Sequence, residues 1–389
     1  MALKVTLSNP RRVGDLWGYL PCGIQLKNGD ILAQTCWGSD RSPTPEEEQE
    51  FFSMTGPTTA QDWADYNERC AEKFGPDFVN AYAGIWARST DGGQTFERTG
   101  LPPIIQYVQK ENGDVFLLRW YSHKDENGKP LIRSWISHDN CHSFDAPYDI
   151  PVDCPPLEDG WLYPHRRIMH VEGDTYYVLI YGFFKGDGMH GRSMIFRTID
   201  DFKTLHYYGT IAAWEPDLPH PKGFNETDIT RTADGRLLAV IRNQGLLPLY
   251  QSHSSNNGAT WTTPKLFPGP GVDPCVRTLE NGVVVCTYGR PGVHLACSET
   301  NGDSWQVHTP ILTTNMRNTH AVGERVAQRD LTCAYTDIFV TGPNKVMIIY
   351  TAPEDWNHPN IMAHEFQPWK VQHRKDFKLY AIDATIDKV

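Results

Sequence analysis

The 389-residue sequence predicts an all-β fold: a closed ring of six four-stranded antiparallel blades, interrupted once by a helical insertion. Three observations carry this expectation. An octapeptide of the form Ser-x-Asp-x-Gly-x-Thr-aromatic recurs along the chain. Six polar, Gly-containing turns, four of them Asn-Gly or Asp-Gly, separate apolar runs. The composition, with 32 Gly, 28 Pro, 12 Trp and 17 Tyr, suits tight turns and aromatic-rich strands better than long helices.

The octapeptide is fullest at Ser89 to Phe96 (STDGGQTF). Ser254 to Trp261 (SSNNGATW) and Ser298 to Trp305 (SETNGDSW) place Asn or Thr where the first copy has Asp. Ser137 to Phe144 (SHDNCHSF) replaces Gly by Cys, and Arg197 to Leu205 holds a degenerate fifth copy. The copies lie about 45–60 residues apart, the length of one four-stranded β-propeller blade. Each octapeptide reads as a hairpin clip: the Asp or Asn accepts backbone N–H groups, Gly takes a positive φ, and the aromatic plugs the layer beneath. Such residues are structural and sit on the rim, remote from any chemistry.

The six turns run Lys27–Asp30, Glu111–Asp114, Glu172–Asp174, Ala233–Arg236, Glu280–Gly282 and Gly342–Lys345, and each opens a blade. The last blade, residues 332–384, has no octapeptide and is expected to close with an N-terminal strand near Lys4–Leu7. Residues 1–389 then make one propeller domain. Residues 43–74 break the pattern with two helix starts, at Thr44 and at Thr58. They read as a helical insertion between the second and third strands of the first blade, either walling the central pocket or decorating the surface.

A net charge of −11 argues against nucleic acid and anionic membranes as partners, because both require basic faces. Apolar runs such as Val346 to Tyr350 are far shorter than the roughly 20 residues of a membrane helix. Nine Cys are scattered without CxxC spacing, which favours free thiols in a reducing compartment over a zinc or redox site. With no basic-then-apolar start after Met1, the expected location is cytoplasmic; a leader removed from the chain would make it secreted or periplasmic. No metal cluster or cofactor motif stands out, so neither is expected.

The octapeptides resemble the Asp-box of the sialidase superfamily, and the resemblance extends to inner-strand residues. Asp77, twelve residues ahead of the first octapeptide, corresponds to the family's acid/base carboxylate. Asn225-Glu226 is similar to the segment whose glutamate partners the nucleophile, and Tyr335, opening the sixth hairpin, to the tyrosine nucleophile itself. Arg242 and Arg290 stand where two arginines of the carboxylate-binding triad are expected. Arginine suits that task because its fork meets a carboxylate bidentately and keeps its charge. The first triad arginine is missing: Tyr19 holds its place, ahead of Pro21. Losing one such contact removes about 2–3 kcal/mol of carboxylate recognition. His165 and Arg166, at a loop-to-strand junction with Arg167, are candidates to compensate by binding an acidic sugar.

The resemblance implies an exo-acting glycoside hydrolase that removes a terminal acidic sugar, sialic acid or a related 2-keto-3-deoxy acid, with retention through a tyrosyl intermediate. In that scheme Asp77 is the acid/base, Tyr335 the nucleophile and Glu226 its base, while Arg242 and Arg290 hold the carboxylate. Two other readings stay open: a polysaccharide lyase on uronic acids using His165 and Tyr335, and a non-catalytic glycan-binding propeller.

Overall fold

The structure is a computed structural model that describes residues 2–36, 58–74, 85–188, 190–215, 218, 223–244, 248–269, 271–289, 292–312, 335–354 and 377–389. The strands form a six-bladed β-propeller. Blade 1 is β3 (Tyr19–Gln25), β4 (Ile31–Cys36), β5 (Ile85–Ser89) and β6 (Glu97–Thr99). Blade 2 is β7 (Gln106–Gln109), β8 (Val115–Leu118), β10 (Pro130–Ser137) and β11 (Tyr148–Asp153), with the short β9 (His123–Lys124) beside β10. Blade 3 is β12 (Leu157–Glu172), β13 (Thr175–Phe184), β14 (Arg192–Thr198) and β15 (Leu205–Ala212). Blade 4 is β16 (Phe224–Arg231), β17 (Leu237–Asn243), β18 (Leu249–Ser254) and β19 (Lys265–Leu266). Blade 5 is β20 (Val272–Thr278), β21 (Val284–Gly289), β22 (Val293–Ser298) and β23 (Val307–Leu312). Blade 6 takes β24 (Thr336–Gly342), β25 (Lys345–Pro353) and β26 (Phe377–Lys388) from the C-terminal end of the chain, and β1 (Leu3–Leu7) from its start; β2 (Arg11–Trp17) also pairs with β26.

Pairing of Leu3–Leu7 with Ala384–Lys388 seals the ring as the sequence led us to expect. All six turns fall between the first and second strands of their blades. Closure is visible in the core as well. Six buried clusters occupy the six blade-to-blade interfaces, for example Leu238, Val240, Val276 and Cys286 between blades 4 and 5. Ile31, Ala33, Phe339 and Met347 fill the closing interface between blades 6 and 1. A blade packed on both faces has no solvent side, so its middle strands lose the apolar/polar alternation: all of β21 (VVCTYG) is buried.

The five octapeptides share one geometry, always between the third and fourth strands. In the first copy Ser89 Oγ accepts from Gly93 N (2.8 Å), and Asp91 Oδ1 accepts from Thr95 N (2.9 Å). The equivalent bonds run from Cys141 N to Ser137 and Ser143 N to Asp139, and from Phe202 N to Thr198 and Thr204 N to Asp200. Gly258 N to Ser254 and Gly302 N to Ser298 complete the set. Each copy ends this loop on a residue in the left-handed region, glycine in three copies but Cys141 (φ 65°) and Phe202 (φ 62°) in the other two.

Within the insertion, helix α1 (Ala60–Phe74) begins on a reciprocal cap: Asp62 N donates to Thr59 Oγ1 and Thr59 N to Asp62 Oδ2. Residues 43–57 lie outside the described part. The helix docks on the outer flank of blades 1 and 2, where Trp63 and Tyr66 are buried and Trp63 meets Trp135 edge-on at 6.2 Å. Arg98 reaches its Glu68 (2.6 Å), and Ala60 N donates to His142 O. None of its described residues lines the central pocket.

Candidate active site

Inner strands β3, β16, β20 and β24 begin at one face of the ring, and there their first residues surround an open cleft. Leu20, Pro21 and Cys22 come from blade 1, Ile105 and Trp120 from blade 2, His165, Arg166 and Tyr181 from blade 3. Glu226, Asp273, Tyr335 and Asp337 complete the lining from blades 4, 5 and 6. The cleft end of these strands is irregular. Register breaks between Tyr19/Pro21, Pro164/Ile168, Phe224/Thr227 and Val272/Cys275, and Leu20, Arg166 and Asp273 take positive φ. Bulges and non-glycine residues in this region re-aim side chains at a cost of order 1–3 kcal/mol each, and such strain concentrates at functional sites.

Glu226 is the hub. Its Oε1 accepts from the Tyr335 hydroxyl at 2.7 Å and from Arg242 Nη1 at 2.6 Å, and its Oε2 accepts from Asp273 N at 2.9 Å. Arg242 Nη1 also donates to the Tyr335 oxygen at 3.0 Å. The hairpin explains the convergence. Antiparallel pairing of β16 with β17 sets Arg242, near the end of one strand, beside Glu226, near the start of the other. Burial pushes the Glu226 carboxyl up, but the charges of Arg242 and His165 and the hydrogen bonds from Arg242 and Tyr335 outweigh it and bring it down to about 2. The carboxylate is therefore ionised, poised to accept the Tyr335 proton.

Asp273 is the second hub and has no counterpart in the sequence expectations. Its Oδ1 accepts from His165 Nε2 at 2.9 Å, and Arg166 Nη2 binds its Oδ2 and its backbone oxygen. Burial raises the Asp273 carboxyl above its usual range, opposed by Arg166 and His165. Arg166 lines the cleft, but both its Nη atoms are committed, Nη1 to Thr336 O (2.7 Å) and Nη2 to Asp273. Its task is to fix Asp273 rather than to meet a substrate carboxylate. The stretch around His165 also lies inside the long strand β12, not at a loop junction: it occupies the register break between Pro164↔Ile180 and Ile168↔Val178. Beneath the cleft, Asp228 accepts from Arg277 Nη1 (2.7 Å), Arg167 Nη2 (3.2 Å) and Val276 N (2.9 Å), and Arg277 Nη2 reaches Asp337 (3.1 Å).

Asp77 and Arg290 lie outside the described residues. Tyr19 opens β3, and its side chain is likewise outside the description. The structure thus brings together Glu226, Tyr335, Arg242, His165 and Arg166 of the expected set. Asp273, Asp337, Tyr181 and Trp120 were missed. A positional signal existed for Asp273: like Glu226 it sits at the start of an inner strand, one blade on. Ligand atoms of His165, Glu226 and Asp273 lie within 4.8 Å of one another, a spacing a cation could span. Their oxygens, however, are already met by Arg242, Arg166 and Tyr335, so two guanidinium charges would face any metal placed there.

No protein-family model matches the chain, and no curated protein matches its sequence. Solved structures do match its fold. One is a protein of unknown function from Dyadobacter fermentans, with TM-score 0.63, 14% identity, 98% of this chain and 99% of that one covered. A Hadza microbial sialidase gives TM-score 0.56 at 15% identity, over 86% of this chain and 63% of that one. An α-L-arabinanase from Penicillium chrysogenum gives 0.55 at 13%, over 97% and 98%. At these identities the likeness establishes the propeller fold.

Proposed function

We propose that the protein is a retaining, exo-acting glycoside hydrolase with Tyr335 as nucleophile. The observation that carries this reading is the Tyr335–Glu226 hydrogen bond of 2.7 Å at the floor of a cleft, with Arg242 bridging both groups. A phenol is a weak nucleophile until a base takes its proton. Glu226, held ionised, is that base, and the Arg242 charge stabilises the phenolate as it forms. The octapeptides, read as Asp-boxes, support kinship with sialidases, as does the matched fold. A sialidase and an arabinanase among the similar structures are both named for action on glycans.

The substrate we propose is a glycan ending in an acidic sugar, sialic acid or a related 2-keto-3-deoxy acid. An uncharged nucleophile suits an anionic substrate; the resemblance gives its carboxylate to Arg242 and Arg290, although Arg242 Nη1 is already held by Glu226 and Tyr335. The resemblance would give the acid/base role to Asp77, which lies outside the described residues. The deciding experiment incubates the protein with a panel of 4-methylumbelliferyl glycosides, a sialoside among them, beside the Tyr335→Phe variant. Release of umbelliferone by the wild type and not by the variant is the expected result. An unsaturated, ultraviolet-absorbing product would instead indicate a lyase, and glycan binding without turnover a lectin-like role.

A further inference from the structure

Resting on the glycosidase reading, we propose that His165, oriented by Asp273, is the residue that passes the proton to and from the glycosidic oxygen. The argument starts from its two ring nitrogens. Nε2 lies 2.9 Å from Asp273 Oδ1. Asp273 cannot turn away, because Arg166 grips its other oxygen and its backbone carbonyl and Glu226 holds its backbone N–H. A carboxylate so fixed accepts the Nε2 proton, and this assigns the tautomer. Nδ1 is then the working nitrogen. It is buried and has no hydrogen-bond partner among the described residues, on a side chain that lines the cleft. A buried, unpaired ring nitrogen is costly unless a ligand completes it.

The placement fits a retaining reaction. A ring nitrogen of His165 lies within 4.8 Å of a Glu226 carboxylate oxygen, and that carboxylate bonds the Tyr335 hydroxyl. In the first step the Tyr335 oxygen bonds the anomeric carbon as the C–O bond to the leaving group breaks. The Tyr335 proton passes to Glu226, and the Nδ1 proton passes to the departing oxygen. In the second step water attacks the anomeric carbon and gives a proton to Nδ1, while Tyr335 leaves and recovers its proton from Glu226. Asp273 and Glu226 face the ring from β20 and β16, the Arg166 cation stands beside it on β12, and Tyr181 packs against it from β13.

The test uses the full chain and one sugar that the wild type removes, presented on 4-methylumbelliferone and on a simple alcohol. A leaving group as acidic as umbelliferone departs with little help, whereas an alkoxide needs the proton. His165→Ala and the bulkier His165→Gln are therefore expected to lose about 10²–10⁴-fold in kcat/KM on the alkyl glycoside and far less on the umbelliferyl glycoside. Azide should restore umbelliferyl turnover in His165→Ala and yield the glycosyl azide. An equal loss on both substrates with no azide product would overturn the proposal, leaving His165 a structural residue. So would the same signature in Asp77→Ala with His165→Ala lacking it, an outcome that spares the glycosidase reading. Failure of the wild type on every glycoside would remove both.

Discussion

The Tyr335 hydroxyl donates to Glu226 Oε1 across 2.7 Å, although the two residues lie 109 positions apart and belong to blades 6 and 4. Arg242 Nη1 touches both oxygens, which ties base, phenol and cation into one unit.

Removing one atom from that unit separates chemistry from folding. Tyr335→Phe deletes the nucleophilic oxygen but leaves the ring and the Glu226–Arg242 pair. We expect kcat/KM on the best umbelliferyl glycoside to fall by about 10³-fold or more, with non-additive loss in the double variant with Glu226→Gln. Stability should change by about 1.5–3 kcal/mol, the worth of one hydrogen bond to a charged group. Enzyme kinetics and urea unfolding on the same preparation check both halves.

The charges under the cleft behave in the opposite way. The Asp228 side chain is fully buried and satisfies Arg277, Arg167 and Val276 N at once. Asp228→Ala would take a buried carboxylate from two guanidiniums, leaving Arg277 only its Asp337 carboxylate partner, and should destabilise the protein by about 3 kcal/mol. By contrast Glu354, more than half exposed in its pair with Arg12, should lose less than about 1 kcal/mol on conversion to Ala. Urea midpoints for the two variants would show the difference directly.

These two cases mark what could be read from the sequence. Blade number, turn positions, the sealing strand and a helix start near Thr58, capped one residue on by Thr59, follow from local chemistry: Asn-Gly turns, repeated Ser and Asp, a capping Thr. Glu226, Tyr335 and Arg242 were legible because each stands at a fixed place on a strand near a recognisable turn. Asp273 was not, since its role depends on contacts with Arg166 and His165 from another blade and on a register break invisible in composition. Arg166 shows a related limit: an arginine in a sequence carries no sign that its Nη groups are taken, here by Thr336 and Asp273. The degenerate octapeptide at Thr198 was weak because Phe202 occupies a position that elsewhere favours glycine.

That position yields a contrast between two clips. Phe202 and Cys141 both sit at positive φ, which costs a non-glycine residue about 1–2 kcal/mol. Phe202 is fully buried, stacked on Phe116 at 3.7 Å and packed near Tyr176 at 4.8 Å. Deleting such a phenyl ring costs about 3–5 kcal/mol, so Phe202→Gly should destabilise despite the relieved backbone. Cys141→Gly removes only a small buried thiol, and relief and loss should cancel to within about 1 kcal/mol. Thermal unfolding of the pair tests whether packing or backbone conformation governs each clip.

Acid unfolding should carry the signature of Glu226. Its carboxyl lies at about 2 in the folded protein against 4.5 ordinarily, burial being outweighed by the charges of Arg242 and His165 and the hydrogen bonds from Arg242 and Tyr335. A group lowered on folding contributes stability that is complete above its ordinary value and lost as pH falls toward the folded one. The stability difference between wild type and Glu226→Gln should therefore be constant above pH 5 and shrink between about 4.5 and 2. Asp273 and Asp228, whose carboxyls burial raises, act with the opposite sign but are present in both proteins. Urea titrations at several pH values would refute the assignment if the difference grew on acidification.

The helix on the flank offers a final test, because its docking depends on a missing side chain. A Cβ on Gly100 would fall 2.1 Å from Ala64 N and 2.6 Å from Ala60 O, both backbone atoms of α1. Neither can step aside without moving the helix, so Gly100→Ala should lift α1 from blades 1 and 2 and uncover Trp63 and Tyr66. Limited proteolysis should then cut within residues 60–74, and tryptophan emission should shift to the red. The described part of α1 contributes nothing to the cleft lining, so kcat/KM should fall far less than protease resistance. Parallel loss of both would instead make the insertion a support of the active site.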